Sequence, residues 1–254
     1  MIDMSQAELI HGLQASGDLK IIQRDDVFRF SLDSVILADF VKINPRTRNI
    51  MDFGTGLAPI PLLLSLKTKA LITGIEIQDD LCELAKKSVV LNHLEEQISI
   101  NKDDIRVVHS HYMMSSFDIV TCNPPFFKNK DEKITSENIA VRNAKHELLI
   151  DFQTIVIQAK RLLKTGGLFV FVHRADRLED LIIFLHNEGF ALKRMRFVYP
   201  KPGVPAVMVL IEAANTGKAG NMKLLEPLYI LDEFGKHTVE AMKIFGDNQE
   251  AGNV

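Results

Sequence analysis

The chain has only two cysteines, Cys82 and Cys122. They lie far apart, with no Cys or His at metal-ligand spacing beside either one. That excludes a disulfide framework and argues against a zinc site or any other metal, so both read as buried apolar thiols. Long hydrophobic runs are missing as well. The most apolar stretches, 57–66 and 204–211, fall far short of the roughly 18 consecutive apolar residues that a membrane helix needs, and no membrane span is expected. The opening MIDMSQAELIHG is acidic before it is apolar and has no basic segment ahead of a hydrophobic block. This is unlike a secretory signal, and the corresponding expectation is a cytoplasmic location. Excess positive charge is also absent. A net charge of −3 and a pI near 6.2 exclude the strongly basic field of a general nucleic-acid coat protein, leaving room for local and selective binding.

What is present is the material of a sizeable core: 254 residues, 46% hydrophobic and 25% charged. From about Asn49 to Ile211, short β-branched apolar runs alternate with amphipathic stretches, a rhythm that predicts a parallel α/β sheet. Strands are expected at 49–53, 70–77, 97–101, 117–122, 167–173, 193–199 and 205–213, with helices near 59–68, 79–92, 152–163 and 177–188. Pro200-Lys201-Pro202-Gly203 is too short for a crossover helix, so the strands it joins should pair antiparallel. Upstream, 19–24 and 27–30 flank Asp25-Asp26 and predict a small hairpin leading into a helix from about Leu32. The expected organisation is an N-terminal hairpin and helix extension at 1–45, a core domain at 46–215 and a C-terminal extension at 216–254.

Three features fall at the carboxyl ends of successive strands, the edge where open α/β sheets bind ligands. Ile50-Met51-Asp52-Phe53 runs into Gly54-Thr55-Gly56, and Leu57-Ala58-Pro59 then opens a helix. Glycines let such a loop turn tightly and let a ligand approach the backbone. Pro59 stands where a dinucleotide fingerprint has its third glycine, so the pyrophosphate version fits badly. The pattern D-x-G-x-G instead resembles motif I of the class I methyltransferases. That resemblance implies S-adenosyl-L-methionine as cofactor, with Asp52, Gly54 and Gly56 in its loop, although such glycines also serve ordinary strand-to-helix turns. In Gly74-Ile75-Glu76-Ile77 an acid closes the next strand about 20 residues on, as ribose recognition requires. Glu76 should grip both ribose hydroxyls, with Ile77 beside it; the bland reading is a solvated rim residue. Asp103-Asp104 follows the third strand. In these enzymes a carboxylate there accepts from the adenine amino group. Asp104 is favoured and Asp103 is the alternative, while an acidic turn would look the same.

The strand at 117–122 delivers Asn123-Pro124-Pro125-Phe126-Phe127 to the same edge. This Asn-Pro-Pro-aromatic run resembles motif IV of the amino methyltransferases, which act on adenine N6, guanine N2, cytosine N4 or a glutamine amide. A conjugated amine is a poor nucleophile because its lone pair is delocalised, and two acceptors aimed at its two N–H groups favour a pyramidal nitrogen. The Asn123 side-chain oxygen and the Pro124 carbonyl can supply them, while Pro124 and Pro125 fix the backbone without a competing N–H. Phe126 would stack on the base, so that positioning and electrostatics carry the catalysis. Asn123 therefore counts with the catalytic residues and, by its place, with those of the cofactor site.

From about Leu19 to Ile211 the chain resembles the bacterial methyltransferases of the small-domain type, and among them the valine-tRNA adenine-N6 enzymes. The likeness rests on Phe28-Arg29-Phe30-Ser31-Leu32-Asp33-Ser34-Val35-Ile36-Leu37-Ala38, on Asp52 to Gly56, on Asn123 to Phe127, and on Leu163-Lys164-Thr165-Gly166-Gly167. It implies a Rossmann-like seven-stranded sheet with an antiparallel last strand, the first stretch packing beside the methionine part of the cofactor with Phe30 and Asp33 nearest. It also implies tRNA as partner and places Val141-Arg142-Asn143-Ala144-Lys145-His146-Glu147 near the substrate. Lys128, Lys130, Lys193, Arg194, Arg196 and Lys201 suggest phosphate contacts, or else an ordinary solvated strand face. A protein glutamine-amide methyltransferase, an rRNA guanine-N2 enzyme and a silent cofactor-binding scaffold are the alternatives. The first usually has tyrosine where this chain has Phe126.

Overall fold

The computed structural model describes residues 8–13, 18–24, 31–124, 152–217 and 220–246. They begin with an antiparallel pair, β1 (Glu8–Gly12) and β2 (Lys20–Arg24), in which Glu8 faces Arg24 and Gly12 faces Lys20. The expected partner of β2, residues 27–30, lies outside the described residues. The partner that is seen, β1, had not been anticipated: ELIHG is short and carries no turn signal of its own. Helix α1 (Leu32–Phe40) follows, starting where the sequence places it.

Next come β3 (Asn49–Phe53), α2 (Pro59–Ser65), β4 (Leu71–Glu76), α3 (Asp79–Leu91), β5 (Ile98–Lys102) and β6 (Phe117–Cys122). After the segment outside the described residues come α4 (Phe152–Leu162), β7 (Leu163–Arg174), α5 (Leu178–Asn187), β8 (Ala191–Tyr199) and β9 (Met208–Ala214). Two short strands, β10 (Lys223–Leu224) and β11 (Leu228–Tyr229), and helix α6 (Val239–Phe245) complete the described chain. The sheet order is β10-β8-β9-β7-β6-β3-β4-β5, with β11 also on β8. Every pairing is parallel except those of β9 with β7 and β8. All seven expected strands are present in a Rossmann-like arrangement, and the short connection at Pro200 to Gly203 does reverse the chain. Beyond them, β10 and β11 lengthen the sheet with residues expected only as an extension. β9 starts at Met208, three residues later than read from the sequence, and Pro205 at the start of the expected span has no N–H for the ladder.

Strand alternation sends neighbouring residues to opposite faces, and here both faces are apolar. Ile50, Val170 and Val172 join Val35, Leu62 and Leu84 in one core; Met51, Phe169 and Phe171 join Ile155 and Leu181 in the other. Helices α1, α2 and α3 thus cover one face and α4 and α5 the second, the layering that two-sided strands require. The β1–β2 hairpin is tied onto α3 by polar groups. Ile22 N donates to Ser88 Oγ at 2.9 Å, while the Asn92 amide accepts from Lys20 N at 2.9 Å and donates to Lys20 O at 2.6 Å, much as another strand would.

The C-terminal turn of α1 is held by cations, as its exposed carbonyls and dipole favour. Lys67 Nζ donates to Ala38 O at 2.7 Å and Asp39 O at 2.9 Å, and Arg194 donates to Phe40 O at 3.0 Å with its guanidinium 4.4 Å from the Phe40 ring centre. A register shift in β8 between Leu192 and Arg194 sets Arg194 directly opposite Glu212, and the two form a buried ion pair. Arg196 is committed as well, to both Glu240 oxygens at 2.7 Å and to Glu226 O at 2.9 Å. These two arginines are therefore structural, which corrects their assignment as phosphate contacts. Exposed Lys201 and half-buried Lys193 remain of that span. Among the described residues no helix is long and apolar enough to cross a membrane.

Candidate functional site

The carboxyl ends of β3, β4, β5 and β6 bring the expected residues to one edge. Register places Asp52 between Gly74 on β4 and Thr121 on β6. After Phe53 the chain turns through Gly54 at φ +62° and Gly56 at φ +56°, a left-handed region in which L side chains are strained. Thr55 N is anchored on Ile75 O at 2.9 Å, and the Thr55 side chain fills the space that a side chain on Gly74 would need: a Cβ at Gly74 would stand 2.8 Å from Thr55 Oγ1. Gly74 is thus as much a part of the loop as the glycines within it.

Glu76 secures that loop from the next strand. Its Oε2 accepts from Gly56 N at 2.8 Å, and its Oε1 accepts from Ile77 N at 2.9 Å and Gln78 N at 3.0 Å. It is buried, with 5% of its surface exposed, which overrides the reading of Glu76 as a solvated rim residue. Asp103 N donates to Glu76 O at 3.0 Å, so the two candidate acids after β5 lie against the same turn. They differ in their partners. Arg106 donates to Asp104 through its backbone N at 2.8 Å and through its guanidinium, which holds the Asp104 carboxyl below the usual range. Asp103 accepts from Asp104 N at 2.7 Å and meets His111 Nδ1 at 2.9 Å.

Asp52 is fully buried. Burial pushes its carboxyl up to about 7, against the Thr121 and Thr55 hydroxyls and with the Glu76 charge adding to the rise. Thr121 Oγ1 donates to Asp52 Oδ1 at 2.6 Å; Asp52 Oδ2 and Thr55 Oγ1 have no completed hydrogen bond among the described residues. The sign of the pH effect follows. Between about pH 4 and 7 the folded chain keeps a proton that the unfolded chain has released, so this contribution to stability is full below the ordinary carboxylate value and is lost as pH rises through about 7. The shift corresponds to on the order of 4 kcal/mol. The melting temperature should fall by several degrees between pH 5 and 8, and should fall less in Asp52→Asn; equal slopes for the two proteins would contradict this account.

At the end of β6, Asn123 turns its amide nitrogen to α1. Nδ2 donates to Ser34 Oγ at 2.9 Å and to Ser31 Oγ at 3.4 Å, while the buried Oδ1 has no partner among the described residues. Pro124 is buried beside it. Asp33 lies on the same first turn of α1, and burial raises its carboxyl, opposed by the Ser31 hydroxyl. Phe30, Pro125, Phe126, Phe127, Lys128, Lys130 and the stretch 141–147 lie outside the described residues. Sequence reasoning missed Thr121, Ser31 and Ser34. Near the carboxyl end of β7, His173 is brought down to about 4 by burial and the Arg177 charge, and its ring packs edge-on against Phe152 at 5.3 Å. The available signals were a polar residue closing an apolar strand and two serines one helical turn apart.

The residues present suit a nucleoside with a charged amino-acid arm. The loop is shaped by positive-φ glycines, carboxylates stand at the ends of β4 and β5, and buried acceptors on Asp52 and Asn123 have no partner among the described residues. Residues 18–182 match the family model of the methyltransferase small domain. A tRNA1(Val) (adenine(37)-N6)-methyltransferase of Phocaeicola vulgatus is 28% identical over 180 residues, covering 70% of this chain and 74% of that protein. The enzyme of the same name in Parabacteroides distasonis is 26% identical over 188 residues, 72% of this chain and 76% of its own. Among solved structures, an Agrobacterium tumefaciens protein described as a "predicted O-methyltransferase" superimposes with a TM-score of 0.65 at 21% identity, covering 87% of this chain and 100% of that one. At that identity the likeness speaks for the fold.

Proposed function

The chain belongs to the methyltransferase small-domain family, and we propose that this methyltransferase acts on N6 of an adenine in tRNA. The observation that carries the reading is Asn123, whose buried side-chain oxygen has no partner among the described residues, at the end of β6 on the edge that also bears the glycine loop. The names of the Phocaeicola and Parabacteroides relatives support adenine over guanine or a protein amide, and tRNA over other nucleic acids.

The cofactor of this family's chemistry, S-adenosylmethionine, supplies when bound an electrophilic methyl group. In our reading Gly54 and Gly56 give it backbone access, Glu76 with Ile77 takes the ribose, and Asp103 or Asp104 accepts from the adenine amine. Asp52 and Asp33 carry negative charge or hydrogen-bonding capacity towards the amino-acid arm, for which the resemblance also names Phe30. Asn123 Oδ1 and the Pro124 carbonyl accept the two N–H groups of the target amine. That draws its lone pair out of conjugation and aims it. By resemblance, the same motif assigns the stacking ring to Phe126 and includes Pro125. The target proton is lost after transfer, so no separate base is assigned.

Nucleoside mass spectrometry of tRNA tests the proposal. Bulk tRNA from a strain lacking the protein should contain less N6-methyladenosine, and the purified protein should restore it when given S-adenosylmethionine. An unchanged level in the deletion strain, together with no transfer to that tRNA in vitro, would overturn the tRNA assignment.

A further inference from the structure

An asparagine amide can present either end, and at the edge of β6 the choice decides whether the target meets an acceptor or a donor. Two hydroxyls of α1 surround the nitrogen end: Ser34 Oγ at 2.9 Å and Ser31 Oγ at 3.4 Å from Asn123 Nδ2. Ser34 is itself buried. The oxygen end is buried and has no partner among the described residues. The orientation of the amide is therefore set by what its nitrogen end meets. With the amide turned over, its two N–H groups would leave the Ser34 and Ser31 oxygens that accept them now. Ser31 and Ser34 are three residues apart and so lie on one face of the helix start. At the other end of α1, Lys67 and Arg194 hold the last carbonyls, so the helix presents its serines from a clamped position.

We infer that Ser34, with Ser31 as the weaker partner, is a positioning residue that holds the Asn123 amide with its oxygen turned to the target amine. The inference rests on the proposed role of Asn123 in methyl transfer, but the hydrogen bond itself does not. Ser34 touches neither the target nor the cofactor in this account. It sets the orientation of the side chain that accepts from the target amine, as supporting groups commonly do in active sites.

The test is Ser34→Ala in the full-length protein. Its kcat should fall about 10- to 100-fold, while the Kd for S-adenosylmethionine measured by calorimetry stays within about twofold. Ser34→Thr, which keeps the hydroxyl, should recover most of the rate. In an Asn123→Ala background, Ser34→Ala should cause no further loss, because the group it positions is gone. A second readout needs no turnover: the side-chain NH2 resonances of Asn123, assigned by their loss in Asn123→Ala, should resist solvent exchange in the wild type and lose that protection in Ser34→Ala. A Ser34→Ala protein with wild-type kcat, an equal loss in both backgrounds, or an unchanged protection would each overturn the inference. If the wild type transfers no methyl group to any tRNA, the functional proposal fails, and the exchange measurement still decides the role of Ser34.

Discussion

Asn123→Ala is expected to lower kcat by about 10²- to 10³-fold, the range seen when a single preorganised polar group facing a reacting centre is removed. The affinity for S-adenosylmethionine should stay within a few-fold. The reasoning begins with the nucleophile. The lone pair of an amine conjugated to a purine ring is delocalised, and attack requires the nitrogen to pyramidalise. An acceptor already in place for each N–H favours that geometry with no reorganisation when the reaction occurs. Asn123 Oδ1 is such an acceptor, buried and without a partner among the described residues, and its amide is fixed by Ser34 and Ser31. Alanine removes the acceptor and leaves the strand end and Pro124 in place, so the cofactor binding proposed for Glu76 and the glycine loop should be little affected. Single-turnover transfer and calorimetric binding, measured on the same preparations, separate the two quantities. A normal single-turnover rate would remove Asn123 from the chemistry, and a cofactor affinity that collapsed with the rate would move it to cofactor binding alone.

Much of this site could be read from the sequence because its main residues sit at strand ends. Asp52, Glu76 and Asn123 close or follow apolar strands, Asp103 follows the alternating strand β5, and a parallel sheet gathers the ends of its strands on one edge. Local pattern therefore located them without knowledge of the strand order. What could not be read depends on contacts between distant residues. Ser34 and Asn123 are 89 positions apart, and nothing near either residue announces the other. Arg194 and Arg196 looked like surface cations because the sequence around them lacks acids; their partners are Glu212 on the neighbouring strand and Glu240 on α6. β1, β10 and β11 are short segments whose strand conformation comes from the partner they pair with rather than from their own residues, a tertiary effect that propensity does not capture.

Glu76→Ala should reduce the affinity for S-adenosylmethionine by about 100-fold or more and lower folding stability by about 2–4 kcal/mol, because in the proposed role the carboxylate joins recognition to the shape of the loop. It accepts from the amides of Gly56, Ile77 and Gln78. An ionised carboxylate offers roughly four acceptor directions, so a hold on both ribose hydroxyls has to share oxygens that already receive backbone N–H groups. Those same bonds fix the oxygens in place before a ligand arrives. Removing the side chain leaves three N–H groups without this acceptor and frees Gly56 from the position set by its positive φ. Glu76→Gln separates the two roles. Its amide oxygen can still accept from Ile77 and Gln78, but its NH2 group would face the N–H of Gly56, donor against donor. The glutamine variant should therefore keep more stability than alanine while losing most of the cofactor affinity. Thermal melts and calorimetry on the three proteins give both quantities, and wild-type affinity in Glu76→Gln would show that the negative charge at this strand end has no part in holding the cofactor.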